Sequence, residues 1–432
     1  MPLSRDIPAP VKTTTARARR SRRAASANAR SSIPFNDSGD RRGRPPLRPR
    51  PYCGETSANM TTEWVATTEE LRRALEPLQA APRWAMDTEA AGFHRYRDRL
   101  CLVQLAAGGR AVLVDALAPL DWTPLAEPLA DPAREIILHG ADYDLRLLRR
   151  DAGLRVRGLF DTQVAAMLLG ERELGLQALV GKYLGRTLTK KFQRADWAHR
   201  PLPPAMLAYA VEDVAVLEPL RDRLATELRA RGRWAWAEEE FRAREEVEPA
   251  RDGTDPDAYL RLKGAGALAP AALAILRPLY AWRERVAAAR DQPPFRVLAN
   301  DVLVRLSVTA PRDVAGLRAA GVPAAVAQEH GDELLAAIAE GRATPPSQWP
   351  RRFRPERPPR DPALETRLER LLAVRQELAQ AYGLDLTALL PRNVLVELAR
   401  RAPKERASLA EVPGLRRWHI DTFGDRLLEA IE

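Results

Sequence analysis

The last third of the chain repeats itself at a constant offset of 92 residues, and that repeat constrains the fold more than any other feature. Leu276, Leu279, Arg283, Ala287 and Ala289 return as Leu368, Leu371, Arg375, Ala379 and Ala381. Val302-Leu303-Val304 returns as Val394-Leu395-Val396, and Leu306, Pro311 and Leu317 return as Leu398, Pro403 and Leu409. Every shared position is apolar, small or an arginine at helical spacing, the pattern of one helical bundle duplicated. Residues 265–343 and 363–432 are therefore predicted to be two all-α modules. The Pro-rich stretch TPPSQWPRRFRPERPPRDP, residues 344–362, reads as the linker between them.

The formal charge of +10 suggests a nucleic-acid partner until it is divided along the chain. Residues 1–60 carry 13 basic residues against Asp6, Asp37, Asp40 and Glu55, which leaves the other 372 residues close to neutral at +1. Bulk charge thus says nothing about what the folded part binds. Segments such as RARRSRRAASANARSS combine Arg, Ser and Pro with few large apolar residues, so they cannot repay chain entropy and are predicted to be disordered. Such a tail reads as an RNA-binding arm, as a transit peptide of the Arg-rich, acid-poor kind, or as translated upstream sequence ahead of a start at Met60. The abrupt change to foldable sequence after Met60 favours the last. Two cysteines, Cys53 and Cys101, exclude a disulfide scaffold or a cysteine-built zinc site. No apolar run reaches the roughly 20 residues of a membrane span, so a reduced, cytoplasmic location without membrane contact is expected.

Residues 61–245 read as α/β with a hairpin-bearing mixed sheet. TTEELRRALEPL is a capped amphipathic helix with Thr67 or Thr68 as N-cap. RWAMDTEAAGF is a short strand ending in acids, and RLCLVQLAA and RAVLVDALA are strands joined across Gly108-Gly109 in a hairpin. Glu135–His139 is a buried strand passing into a helix, Asp161 an N-cap, and PPAMLAYAVEDVAVLEPLRDRL a helix with an apolar stripe at Leu207, Val211, Val214 and Leu217.

Acids fall at three places in this pattern. Asp87 and Glu89 lie two apart on a strand, so both leave the same face. Asp142 and Asp144 lie where a buried strand hands over to a helix. Tyr209 and Asp213 are four apart, hence on one helical face and off the apolar stripe. Any one of these is an ordinary surface pattern; the ordered set carries the information. Carboxylates without His or Cys select hard cations, Mg²⁺ or Mn²⁺, and two such ions roughly 3.5–4 Å apart clamp the attacking and leaving oxygens of a phosphoryl transfer. His139 reads as a core residue, and His94 and His199 have no partner at metal-ligand spacing.

The order DTE, HGADYDLRLL and YAVED resembles the three exonuclease motifs of the DEDD superfamily in its tyrosine variant. The surrounding text, WAMDTEAAGFHRYRDRLCLVQLA, FDTQVAAMLLG and KKFQRADWAHRPLPPAMLAYAVEDVAVL, narrows the resemblance to the ribonuclease D family. AWRERVAAARDQPPFRVLANDVLVRLS resembles the helicase-and-ribonuclease-D C-terminal (HRDC) domain, with 363–432 a second, more diverged copy. The resemblance implies a ribonuclease H-like exonuclease domain over 61–245 followed by two HRDC-type bundles. It implies metal ligands Asp87, Glu89, Asp144 and Asp213 for two divalent ions, with Asp144 rather than Asp142 from its place five after His139. It also implies that Tyr209 orients the attacking water. A tyrosine of ordinary pKa, about 10, is a poor base at neutral pH. Lys190, Lys191, Arg200 and Trp197 are expected RNA contacts, the last by stacking a base, although packing is the commoner fate of such a tryptophan. The implied activity is monomeric 3′→5′ exoribonucleolytic trimming of tRNA precursors and other structured RNAs, releasing nucleoside 5′-monophosphates. Residues 266–342 hold nine arginines against eight acids, so the modules' RNA binding is implied by resemblance alone. Two alternatives stand beside it: the same chemistry on DNA, because no motif reveals a 2′-hydroxyl contact, and a non-catalytic RNA-binding scaffold.

Overall fold

The computed structural model describes residues 60–248, 255–350 and 361–432. The expectations placed on the basic tail and on residues 351–360 of the linker lie outside the described residues.

Strands β1 (Thr61–Val65), β2 (Arg83–Ala90), β3 (Leu100–Ala107), β4 (Arg110–Asp115), β5 (Glu135–Leu138) and β6 (Leu159–Asp161) form one mixed sheet in the order β1-β4-β3-β2-β5-β6. The β2–β3–β4 meander is antiparallel, and β1, β5 and β6 add in parallel at its two sides. All eight residues of β3 are buried because the central strand is covered on both faces, which its unbroken apolar run anticipates. Two strands go unread in the sequence. β1 is only five residues and half polar, and β6 is three residues whose last doubles as a helix cap.

Helices α1 (Thr68–Leu75), α2 (Thr123–Ala130), α3 (Asp142–Asp151), α4 (Thr162–Leu168), α5 (Leu176–Leu184), α6 (Pro204–Ala215), α7 (Leu217–Ala230) and α8 (Trp234–Glu245) surround the sheet. Thr67 is the N-cap of α1, accepting from the Glu70 amide at 3.2 Å while Glu70 reaches back to the Thr67 amide at 3.1 Å. The stretch read as one helix from Pro203 is two, α6 and α7 meeting at Val216. Pro219 has no N–H for the Ala215 carbonyl, so the ladder is interrupted there. The α6 face buries Tyr209 and Asp213 together with Met206, Ala210, Val211 and Val214, wider than the apolar stripe suggests.

The repeat is realised helix for helix. The first module is α9 (Pro270–Ala289), α10 (Pro294–Val297), α11 (Asn300–Thr309), α12 (Val314–Ala319) and α13 (Ala324–Ala343). The second is α14 (Pro362–Tyr382), α15 (Leu386–Leu389), α16 (Arg392–Arg401), α17 (Arg406–Leu409) and α18 (Arg417–Ile431). Buried Arg283 donates to the Leu298 carbonyl at 3.3 Å, and Arg375 does the same to Leu390 at 3.1 Å. Ala310 and Ala402 close the equivalent third turns in the same left-handed conformation, φ 43° and 45°.

The two copies are used differently. The first has its own core around Leu276, Leu279, Leu303, Leu306 and Leu334. The second shares a continuous core with the sheet region. Trp418 stacks on Trp236 of α8 with ring centroids 4.5 Å apart, and Tyr382 and Phe423 pack around the pair. Buried Arg233 donates to the carbonyls of Leu168 and Tyr382, both at 2.7 Å, stitching α4 to α14. Gly170, at φ +83°, lies so close to the Gly383 carbonyl that a Cβ would meet it at 2.1 Å.

Candidate active site

Asp87 and Glu89 sit near the end of β2 on one face, and a register shift between Glu89 and Ala90 interrupts the ladder with β3 beside them. Helix α6 crosses that face, and its i, i+4 pair Tyr209 and Asp213 looks down on the strand. Carboxylate oxygens of Asp87, Glu89 and Asp213 all lie within 4.8 Å of one another. Asp144, in the first turn of α3, stands beside this trio rather than inside it. It accepts a hydrogen bond from the Thr88 hydroxyl on the other side of β2, and its charge bears directly on Asp87. The charges of Asp144 and Asp213 both bear on Asp87, and those of Asp87, Asp213 and Asp144 on Glu89. Asp142, one turn-position away, faces outward into ion pairs with Arg146 and Arg244.

The loop that carries Asp144 is braced from below. Asp161, fully buried, caps α4 through the amides of Gln163 and Val164 and also accepts from the amides of Gly140 (2.9 Å) and Ala141 (3.0 Å). The sequence shows Asp161 as a cap only; its second pair of bonds needs β5 and β6 side by side. His139 joins its Nδ1 to the Thr162 hydroxyl at 2.9 Å and takes no part in the acidic cluster.

Electrostatically the cluster is unbalanced. Among the described residues no arginine or lysine pairs with Asp87, Glu89, Asp144 or Asp213. Burial and the neighbouring carboxylates push Asp87 and Glu89 well above their ordinary range. Burial pushes Asp144 and Asp213 up to about 7. Burial and the charge of Asp213 push the Tyr209 phenol up as well. Gln104 lies directly opposite Asp87 in the β2–β3 register, so it shares the acids' face. It is fully buried, and neither its amide nitrogen nor its oxygen has a partner among the described residues. An oxygen-only donor set, excess negative charge and an orphaned amide fit a hydrated hard cation. Gln104 and Thr88 have no signal in a single sequence, since an apolar strand with one Gln reads as core.

The expected RNA contacts divide. Lys190 and Lys191 are exposed, and Lys191 Nζ lies 5.3 Å from the Phe192 ring, which itself is 5.8 Å from Tyr209. Trp197 cannot stack a base: it is 1% exposed, its indole N–H donates to the Phe192 carbonyl, and its ring backs Tyr209 at 6.1 Å. Arg200 also turns inward. It forks onto Asp115 (3.0 and 2.6 Å) and donates to the carbonyls of Cys101, Trp197 and His199, so its donors are spent inside the protein. Both residues pin the segment before α6 to the sheet, a role visible only once β4 lies beside that segment.

A family model described as 3'-5' exonuclease matches residues 62–229, and the HRDC domain model matches residues 272–338 and 365–431. The chain is similar to the ribonuclease D of Gluconacetobacter diazotrophicus, 33% identical over 377 residues that cover 84% of this chain and 91% of the relative. Among solved structures it is similar to a protein from Bifidobacterium adolescentis at TM-score 0.72 and 25% identity, covering 85% of this chain and 96% of that one. It is also similar to Escherichia coli RNase D, described as an exoribonuclease involved in structured RNA processing, at TM-score 0.62 and 25% identity, covering 86% and 99%.

Proposed function

The chain belongs to the ribonuclease D family of 3′→5′ exoribonucleases, and from that premise we propose that Asp87, Glu89, Asp144, Asp213 and Tyr209 carry its chemistry on the 3′ ends of tRNA precursors. The observation that supports this reading is the convergence of Asp87, Glu89 and Asp213 oxygens within 4.8 Å of one another, with Asp144 adjoining Asp87.

Asp87, Glu89 and Asp213, with Asp144 adjoining, would hold two divalent ions, Mg²⁺ or Mn²⁺. When bound, the ions supply positive charge that offsets the acids and stabilises the charge developing on the phosphate and its leaving oxygen. Asp161 and Thr88 hold Asp144 in place. Tyr209, clamped between Phe192 and Trp197 and facing Asp213, keeps its proton at neutral pH because its environment pushes the phenol up. Its hydroxyl therefore orients the attacking water and does not remove its proton. Lys190 and Lys191, exposed on the segment that leads to Tyr209, are placed to meet the phosphate backbone.

The test is to incubate the full chain with a 3′-extended tRNA and a matched single-stranded DNA, with Mg²⁺, Mn²⁺ or EDTA. Ion-dependent shortening of the RNA with release of nucleoside monophosphates, absent in Asp87→Asn, supports the reading. Preferential loss of DNA overturns the substrate, and RNA binding without cleavage under any ion overturns the chemistry.

A further inference from the structure

Three segments meet just outside the acidic cluster: the loop after β2, the segment before α6, and helix α10 of the first module. Phe93, four residues past Glu89, is 45% exposed, and Phe295 of α10 is 49% exposed. Their rings lie 5.7 Å apart at 48°. Arg194 and Arg296 place their guanidinium groups 5.6 and 5.9 Å from the Phe93 ring. His94 ties the corner, its Nε2 2.7 Å from the Arg194 carbonyl and its Nδ1 3.2 Å from Arg296 Nη2. Arg95, one residue on, is spent on ion pairs to Asp196 and Asp291, the second of which anchors the first module here. Arg194 and Arg296 have no carboxylate partner among the described residues and are exposed.

The duplicated module supplies an internal control. At the offset of 92, Phe295-Arg296 becomes Thr387-Ala388 on the equivalent helix α15. The bundle therefore forms without an aromatic and a cation at these places, and only the copy that meets the β2 loop carries them. Two exposed rings flanked by uncompensated arginines are the chemistry of single-stranded nucleic acid, with bases stacking on rings and phosphates meeting the cations.

Resting on the exoribonuclease reading, we infer that Phe93 and Phe295, with Arg194 and Arg296, form a stacking clamp shared between the nuclease region and the first helical module. It grips the single-stranded 3′ segment of the RNA upstream of the nucleotide being removed. The module thereby contributes directly to substrate binding, and its docking sets the clamp's spacing.

The test uses the full chain and a short 5′-labelled single-stranded RNA. Anisotropy in EDTA reads binding without turnover, and cleavage in Mg²⁺ is followed separately. Phe295→Thr/Arg296→Ala, which imports the residues of the other copy, is expected to weaken binding by roughly 5- to 100-fold, the range of one base–aromatic stack. KM rises by a similar factor with kcat little changed, because the clamp binds ground and transition states alike. Phe295→Tyr keeps both near wild type, and Arg194→Ala/Arg296→Ala flattens the salt dependence. Thermal midpoints of these exposed-site variants are expected to match the wild type. Unaltered affinity and KM in Phe295→Thr/Arg296→Ala, or a Phe295→Tyr variant that loses them as fully, overturns the clamp while wild-type cleavage keeps the nuclease reading. A wild type that binds RNA through these residues yet never shortens it leaves the clamp standing and overturns the nuclease.

Discussion

Asp213 and Asp144 have carboxyl groups pushed up to about 7, mainly by burial, against an unfolded value near 3.9. With no ion bound, the folded chain therefore holds protons that the unfolded chain has released between about pH 4 and 7. Stability from this source is complete below the unfolded pKa and is lost as pH rises through the folded one. Removing the charge should relieve the cost. Asp213→Asn is expected to raise stability in EDTA at pH 8 by an amount on the order of 2–4 kcal/mol, read as a higher thermal midpoint, and to change it little at pH 4. Mg²⁺ should stabilise the wild type more at pH 8 than at pH 5.5. An unchanged midpoint for Asp213→Asn at pH 8 would remove the electrostatic account. At Tyr209 the expectation is kinetic: Tyr209→Phe lowers kcat by about 10- to 100-fold, less than Asp87→Asn, because it removes a positioning hydroxyl and not a ligand. Equal losses in the two variants would show that the phenol does more than orient.

Elements bring these residues together, and their joints are where substitutions should tell. The segment before α6 is pinned to β4 by the Arg200–Asp115 fork, and through Trp197 and Phe192 it sets the position of Tyr209. Arg200→Ala leaves Asp115, a mostly buried carboxylate, without its partner. It should cost about 3 kcal/mol in chemical denaturation and lower kcat more than it raises KM. A change confined to KM would instead restore Arg200 to the RNA-contact role that its internal bonds argue against. That α6 stops at Ala215 follows from Pro219, and the early stop keeps Asp213 in the last turn of α6, over the end of β2.

For the molecule as a whole, the duplication has produced two modules with unequal duties. The second shares its core with the nuclease region through Trp236, Trp418, Tyr382 and Phe423, whereas the first is a separate core joined to the loop after β2 by Tyr96, by the Phe93–Phe295 contact and by the bonds to Asp291. Calorimetry should reflect this. Trp418→Ala is expected to destabilise the nuclease region itself by about 3–5 kcal/mol, lowering its transition. Trp282→Ala, in the first module, should move a separable transition and leave the nuclease transition in place. A single transition shifted equally by both would contradict the unequal coupling.

Much of this was legible in the one-dimensional text, for identifiable reasons. Alternation put Asp87 and Glu89 on one face, helical spacing put Tyr209 with Asp213, and a constant offset exposed the repeat; each depends only on the period of a local element. Beyond those periods lay whatever depends on which elements become neighbours. Asp161 reads as a cap and is one, but the pairing of β5 and β6 also gives it the amides of Gly140 and Ala141. Gln104 acquired meaning only from its register opposite Asp87. Arg200 and Trp197 resembled RNA contacts until the sheet enclosed them. Local periodicity determines which side chains share a face, while burial, charge balance and partnership are sums over neighbours distant in the chain, and only the tertiary structure decides those.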